Sequence, residues 1–201
     1  MKALVSLSIA VLTVSLMLVL AVVFFGGSAA GSTYRGSRPP AGIALPTFTL
    51  NDENGAQVRS EDVAGKVVVV TFLDAQCTDA CPIAAGLIAR AVDGLSAAQR
   101  SQVAVLGISV DPAEDTPTAV TRFLAQHRAT GRIRYLTAPQ PVMEPLWDAF
   151  KVLPTVRTGN DSIHSIPVEV YDRKGIWRST FSVNADLTSR NLEHDIRVAL
   201  R

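Results

Sequence analysis

Two long apolar runs lie in the middle of the chain. Residues 67–73 and 103–110 consist almost entirely of apolar and β-branched residues. Such runs are typical of strands that are buried on both faces of a sheet. Apolar side chains then recur at helical spacing after each run, in residues 82–95 and from Asp115 to about residue 129. The pattern predicts two consecutive strand–helix units.

The faces and starting points of the two helices can also be predicted. In the second helix, Asp115 stands where a capping side chain is expected, and Pro117 suits the first turn. The apolar face of the first helix would consist of Ile83, Leu87, Ile88 and Val92.

Shorter patterns complete the predicted fold. Alternating apolar and polar residues on both sides of turns rich in Asp, Asn and Gly indicate two hairpins. Their strands are residues 48–50 with 57–58, and residues 168–171 with 177–181. A strand at 133–136 and helices at 145–151 and 187–200 are the remaining elements. These elements predict an α/β fold: a mixed sheet flanked by helices, with the first hairpin as an N-terminal extension.

The N-terminal segment predicts a membrane anchor. Residues 3–25 carry no charge and are rich in Leu, Val, Ile and Ala. As a helix they would span about 34 Å, enough to cross a bilayer. The apolar region of a cleaved signal peptide has only about 7–15 residues, so an uncleaved single transmembrane helix in residues 1–25 is favoured. The small residues at 26–30 still permit cleavage.

A linker and one domain follow. Residues 26–42 are rich in Gly, Ser, Pro and Ala, which indicates a flexible tether, and residues 43–201 have the length of one domain. A short N-terminus before a first helix usually stays inside, so we expect an inner-membrane protein whose domain faces the periplasm, where disulfides can form. The net charge of +1 gives no reason to expect binding to nucleic acid. A monomer is the default expectation.

The candidate chemistry centres on Cys77 and Cys81, the only two cysteines of the chain. They lie where the first buried run gives way to the first helix, as in a thioredoxin-like arrangement. Such a pair could close a disulfide, exchange one with another protein or hold a soft metal ion. The helix N-terminus would stabilise a thiolate on Cys81. A disulfide across so short a loop would constrain the unfolded chain little, and the three-residue spacer leaves room for an ion.

A histidine is the candidate third ligand. Of the three histidines, His127 and His194 lie within predicted helices beside charged residues and are expected at the surface. His164 instead lies in a polar loop that leads into the second hairpin and should pass near the cysteines. Two thiolates and one imidazole would suit Cu(I) and tolerate Cu(II). Asp111 is expected to start a turn before Pro112, or else to face the site.

Three segments together resemble the Sco/SenC family of membrane-anchored copper chaperones for cytochrome c oxidase assembly. They are residues 70–82 around the cysteines, residues 108–117 with their Ser-Val-Asp-Pro and Asp-Thr-Pro sequences, and residues 164–175 beginning His-Ser. The resemblance implies a thioredoxin-like Sco domain with Cys77, Cys81 and His164 as copper ligands. Thr78 replaces a common proline. Pro167 stands where ordinary thioredoxins carry a cis-proline, which would move His164 away from the thiols.

Two functions are compatible with these residues. A metallochaperone would hold copper on the reduced cysteines and His164 and pass it to a cytochrome c oxidase subunit or another acceptor protein. A thiol–disulfide oxidoreductase would use Cys77 for attack and Cys81 for resolution, and would reduce acceptor cysteines without needing His164. A thiol peroxidase is disfavoured because no Arg- and Pro-containing setting surrounds Cys77. A structural zinc site would need a fourth ligand.

Overall fold

The computed structural model describes residues 33–152, 156–158, 161–163 and 166–201. Its strands are β1 (Thr49–Asp52), β2 (Gln57–Arg59), β3 (Val67–Leu73), β4 (Val103–Ser109), β5 (Arg134–Thr137), β6 (Val156–Thr158), β7 (Asp161–Ile163), β8 (Pro167–Tyr171) and β9 (Trp177–Ser182). Its α-helices are α1 (Ala80–Asp93), α2 (Ala97–Arg100), α3 (Pro117–Gln126), α4 (Gln140–Phe150) and α5 (Ser189–Ala199). A 3-10 turn covers Ser60–Val63.

Seven of these strands form one mixed sheet in the order β2-β1-β5-β4-β3-β8-β9. The central strands β3, β4 and β5 are parallel, and the outer strands pair antiparallel. All seven residues of β3 are buried, which confirms the interpretation of its continuous apolar run. The remaining strands β6 and β7 pair with each other. The predicted mixed α/β sheet flanked by helices is therefore confirmed, and β1 pairs antiparallel with β2.

Each face of the sheet carries its own apolar core. On one face, residues of α1, α3 and α5 such as Ile88, Phe123 and Ile196 pack against alternate side chains of β3 and β8. On the other face, α4 covers the sheet, and Trp147 and Phe150 lie in a core that also includes side chains of β1 and β2. Both faces are thus shielded, and the loops at the C-terminal ends of the parallel strands remain available for chemistry.

Two details of the helices differ from the predictions. Ile83 was expected in the buried face of α1 but is 41 % exposed, because the helix turns Cys81, Ala84, Ala85 and Ile88 toward the sheet. Short alanine side chains let α1 pack closely, and hydrophobicity alone does not reveal that orientation. Helix α4 begins at Gln140 and contains Pro145, whereas Pro145 was predicted to be its first residue.

The end of the predicted linker contacts the domain. Residues 34–45, here called the N-terminal strap, belong to the compact unit that begins at Tyr34. Ser37 exchanges two backbone hydrogen bonds with Thr180 of β9 (2.9 and 3.0 Å). The buried carboxylate of Asp195 accepts hydrogen bonds from the backbone N–H groups of Arg35 and Gly36. A Cβ atom at Gly36 would lie 2.7 Å from the Thr180 carbonyl oxygen, so the close approach needs glycine here.

The predicted anchor, residues 3–25, lies outside the described residues. Within the described ranges, no helix is both long and apolar enough to cross a membrane.

Candidate metal centre

The two cysteines meet at the junction between β3 and α1. Cys77 lies in the loop, where its N–H group donates a hydrogen bond to the Asp74 carbonyl oxygen (3.1 Å). Cys81 is the second residue of α1. Cys77 is half-buried and Cys81 fully buried, and neither forms a disulfide. Their side chains share a hydrogen bond. The fold therefore brings both sulfurs close enough to bind one ion or to form one disulfide.

The electrostatics of Cys81 differ from the prediction. Its place at the helix N-terminus was expected to stabilise a thiolate. Instead the hydrogen bond with Cys77, followed by burial, raises the pKa of the Cys81 thiol well above its ordinary value. The nearby Asp74 carboxylate acts in the same direction, and only a hydrogen bond from the Asp74 backbone opposes it. Cys81 thus holds its proton, because the hydrogen bond with Cys77 and burial both favour the neutral thiol.

The buried carboxylate of Asp115 is hydrogen-bonded to the backbone of the cysteine loop. Asp115 Oδ1 accepts a hydrogen bond from the N–H group of Ala75, two residues before Cys77 (2.8 Å). Its Oδ2 accepts hydrogen bonds from the hydroxyls of Ser109 and Tyr135, both at 2.6 Å. Burial raises the pKa of Asp115 to about 6, although the three hydrogen bonds oppose this rise. Asp115 therefore links the loop to the end of β4 and to β5.

This role for Asp115 was not predicted. The sequence suggested that Asp115 caps α3, but the cap is Thr116, whose side chain accepts a hydrogen bond from the Ala119 N–H group (3.3 Å). Two neighbouring residues can both cap a helix, and only the tertiary contacts of Asp115 distinguish them. Asp111 does start a turn, as predicted, because its carbonyl oxygen accepts hydrogen bonds from the N–H groups of Glu114 and Asp115.

The predicted third ligand, His164, lies outside the described residues. The chain that follows it enters the sheet beside the cysteine loop, because Val168 of β8 pairs with Thr71 near the end of β3. Ile166 and Cys77 pack against the same core. The described residues contain no cis peptide bond, so Pro167 follows Ile166 in trans. Between residues 33 and 201, the described ranges hold no group of three or more Cys, His, Asp or Glu side chains arranged to bind a metal.

The other two histidines make contacts of their own. The ring of His127, at the end of α3, packs edge-to-face against Phe123 with 4.7 Å between ring centroids. His194 Nδ1 lies 3.0 Å from Asp195 Oδ1 on α5. Both residues are partly exposed.

A pocket of about 480 Å³ opens near the start of α1, the helix that carries Cys81. Its walls include Ala80, the first residue of α1, together with Phe150, Ile166, Glu169, Trp177 and Thr180. Glu169 is only 2 % exposed, and its Oε2 accepts a hydrogen bond from the Tyr171 hydroxyl (2.6 Å). Burial raises the pKa of Glu169 to about 7. Sequence analysis missed this residue; its signal was an acidic side chain within an otherwise apolar strand.

The fold and the site define a class: thioredoxin-like proteins with a cysteine pair at the first strand–helix junction of the central sheet. Residues 38–200 match the model of the SCO1/SenC family, so the chain belongs to that family. The resemblance found in the sequence is thereby confirmed.

Individual relatives support the family assignment over shorter stretches. Protein SenC of Rhodobacter capsulatus is 45 % identical over 76 residues, which are 38 % of this chain and 34 % of that protein. A putative copper-binding protein of Stutzerimonas stutzeri is 31 % identical over 90 residues, or 45 % of this chain and 44 % of that protein. The chain thus spans less than half the length of each of these two relatives.

Solved structures share the fold. Bradyrhizobium japonicum ScoI with copper bound has a TM-score of 0.66 and 23 % identity, and the match covers 79 % of this chain and all of that one. BsSco, described as a member of the Sco family of cytochrome c oxidase assembly proteins with a disulfide switch, has a TM-score of 0.64 and 22 % identity over 82 % of this chain and 99 % of that one. At these identities the likeness establishes the fold alone.

Proposed function

We propose that this chain is a membrane-anchored metallochaperone that binds copper and delivers it to a copper site of cytochrome c oxidase. Cys77 and Cys81 would bind the ion as thiolates, and His164 would supply the third ligand. Residues 3–25 would hold the domain at the periplasmic side of the inner membrane. Copper is cargo in this proposal, because the protein binds it only until an acceptor takes it.

The observation that carries the proposal is the contact between two thiols that form no disulfide and lie in unequal environments. Cys81 is fixed inside the core by α1, whereas Cys77 is half-buried in the loop. Two adjacent sulfurs form a soft ligand pair, which suits Cu(I). The more exposed sulfur of Cys77 is the one that an acceptor could reach first during ligand exchange.

The protonated state of Cys81 predicts how loading responds to pH. A thiol must lose its proton before it binds a metal, so copper competes with protons for both sulfurs. Because the pKa of Cys81 is raised, copper binding should release protons and become tighter as the pH rises. A disulfide between the same sulfurs would block loading, so oxidation would gate the function.

The comparisons support copper as the cargo. A relative from Stutzerimonas stutzeri is described as a putative copper-binding protein, and ScoI of Bradyrhizobium japonicum has been solved with copper bound. BsSco is described as a member of a family of cytochrome c oxidase assembly proteins. These descriptions favour copper delivery to the oxidase over other uses of a cysteine pair.

A Cu(I) competition titration of the reduced full-length chain tests the proposal. We expect one tightly bound ion, and a loss of affinity of more than about tenfold in His164→Ala. His127→Ala is the matched control, since it removes a histidine that packs against Phe123 on α3. Equal affinities of the unaltered protein and His164→Ala would remove His164 from the site. The absence of tight binding in the unaltered protein would refute copper delivery.

Thiol–disulfide exchange is the second candidate function. The unequal burial of the two cysteines favours this function. The half-buried Cys77 can attack a partner disulfide, and the buried Cys81 can then resolve the mixed disulfide. His164→Ala should leave this exchange unchanged. Measuring the rate at which the reduced protein reduces an oxidised cysteine-pair peptide, in both forms, separates the two functions.

A further inference from the structure

The Glu169 pocket contains an acidic group that the proposed copper site does not use. The name denotes the pocket walled by Ala80, Phe150, Ile166, Glu169, Trp177 and Thr180. In β8, Val168 and Val170 face one core, so Glu169 and Tyr171 face the opposite side of the sheet. The carboxylate is therefore directed toward the α4 side, where the pocket opens.

Glu169 lacks a compensating charge among the described residues. Its one hydrogen-bond partner there is the Tyr171 hydroxyl, and no ion pair to it occurs within the described ranges. Lys151 also lines the pocket but is exposed and makes no ion pair with Glu169 in the part of the chain that is described. Burying a carboxylate without a neutralising charge is costly, even where a hydroxyl donates a hydrogen bond to it. Burial accordingly raises the pKa of this group to about 7.

The walls of the pocket suit an organic cation. Tyr171 and Trp177 stack with 6.2 Å between ring centroids and 20° between planes. Trp177 is partly exposed and lines the pocket together with Phe150. Aromatic faces attract guanidinium and ammonium groups, and a carboxylate adds a charged hydrogen-bond acceptor. The volume of about 480 Å³ is sufficient for a long side chain.

We propose that the Glu169 pocket binds an arginine side chain of the protein that exchanges copper with Cys77. The partner's role in this inference rests on the proposed function, whereas binding of the side chain does not. Ala80 belongs both to the pocket and to the segment between the two cysteines. An arginine held by Glu169 would therefore place the partner beside Cys77 and orient it for transfer.

The test uses the reduced, metal-free full-length chain and a pair of capped tripeptides, glycyl-arginyl-glycine and its citrulline counterpart. Citrulline has nearly the same shape as arginine but no charge. Tryptophan fluorescence at pH 8 reports binding, since Trp177 is the tryptophan that lines the pocket. We expect a saturable change with the arginine peptide and an affinity about tenfold lower for citrulline. Equal affinities, or no saturable change with either peptide, would overturn the proposal.

Variants identify the residue responsible. Glu169→Gln keeps the shape of the side chain and should lower the affinity for the arginine peptide to the level of citrulline. Unchanged arginine affinity in Glu169→Gln would overturn the proposal. Lys151→Gln should change the affinity by only a few-fold, because exposed charges contribute little. If the affinity of Lys151→Gln for the arginine peptide rose about tenfold, Lys151 itself would occupy the pocket in the unaltered protein. That result would also overturn the proposal.

Copper binding separates this inference from the proposed function. Glu169→Gln should keep the Cu(I) affinity of the unaltered protein, because Glu169 is not a proposed ligand. If the arginine peptide does not bind but copper binds tightly, the proposal of arginine binding fails and the proposed copper delivery still stands.

Discussion

Replacing Asp115 with asparagine is expected to remove a pH dependence of folding stability. Asparagine has nearly the same shape and keeps an oxygen that can accept the Ala75 hydrogen bond, but it cannot ionise. Its amide group could donate to the hydroxyl oxygens of Ser109 and Tyr135, while Tyr135 donates to the Leu73 carbonyl oxygen (2.9 Å). The variant should therefore fold, with the cysteine loop still attached to β4 and β5.

The size of the effect follows from the raised pKa of Asp115. Its ordinary value of 3.8 rises to about 6 in the folded protein, so the folded state retains a proton that the unfolded chain has lost in this range. Raising the pH from about 4 to about 6 therefore lowers the free energy of unfolding. A difference of about two pKa units corresponds to about 3 kcal/mol. Since Asp115 is almost fully buried, solvent screens little of this effect.

Guanidinium chloride unfolding of the reduced proteins between about pH 4 and pH 8 measures this difference. The unaltered protein should lose up to about 3 kcal/mol relative to Asp115→Asn as the pH rises, and the difference should then stay constant. Glu169 and other buried acids titrate in both proteins, so their contributions cancel in the difference between the two free energies of unfolding. Glu114→Gln, a change at the exposed neighbouring position, should show no such trend. A difference between the unaltered protein and Asp115→Asn that stays flat across this pH range would refute the reasoning.

Other substitutions test the packing and the helix start. Gly107→Ala would place a Cβ atom 2.8 Å from Leu73 Cδ1 and should lower the free energy of unfolding by about 1–3 kcal/mol. Gly86→Ala, within α1 and with its nearest neighbouring atom at 3.5 Å, should instead raise it by about 0.5–1 kcal/mol; a loss at position 86 like that at 107 would contradict the packing explanation. Thr116→Ala removes the cap of α3 and should cost about 1 kcal/mol in denaturant unfolding, whereas the exposed Thr118→Ala should cost clearly less.

The fold was predictable where one face or both faces of an element are uniformly apolar. The apolar run at residues 67–73 can bury both of its faces only between two other strands. It forms β3, between β4 and β8. The prediction failed for Ile83, because the face of a helix made of alanines depends on how closely it approaches the sheet. A rule based on hydrophobicity buries Ile83 before Ala84, whereas the structure exposes Ile83 and buries Ala84.

For the cysteine pair, the sequence predicted the position but not the protonation state, and the role of His164 stays a prediction. The position of Cys77 and Cys81 followed from the strand–helix junction. The raised pKa of Cys81 did not, because it depends on a hydrogen bond and on burial that exist only in the folded chain. Asp115 and Glu169 were missed for the same reason, since an acidic residue reveals its burial only through tertiary contacts.

The N-terminal strap also protects the domain from self-association. An uncovered edge strand offers unpaired N–H and C=O groups to other chains. Here Ser37 pairs with Thr180 of β9 and Ala44 pairs with Ile176, the residue just before β9. Asp195 accepts two backbone hydrogen bonds from the strap. A soluble fragment beginning at residue 41 would lack Ser37 and both of these donors. Cleavage within the strap would thus turn the outer edge of β9 into a surface on which a second copy of the chain can pair.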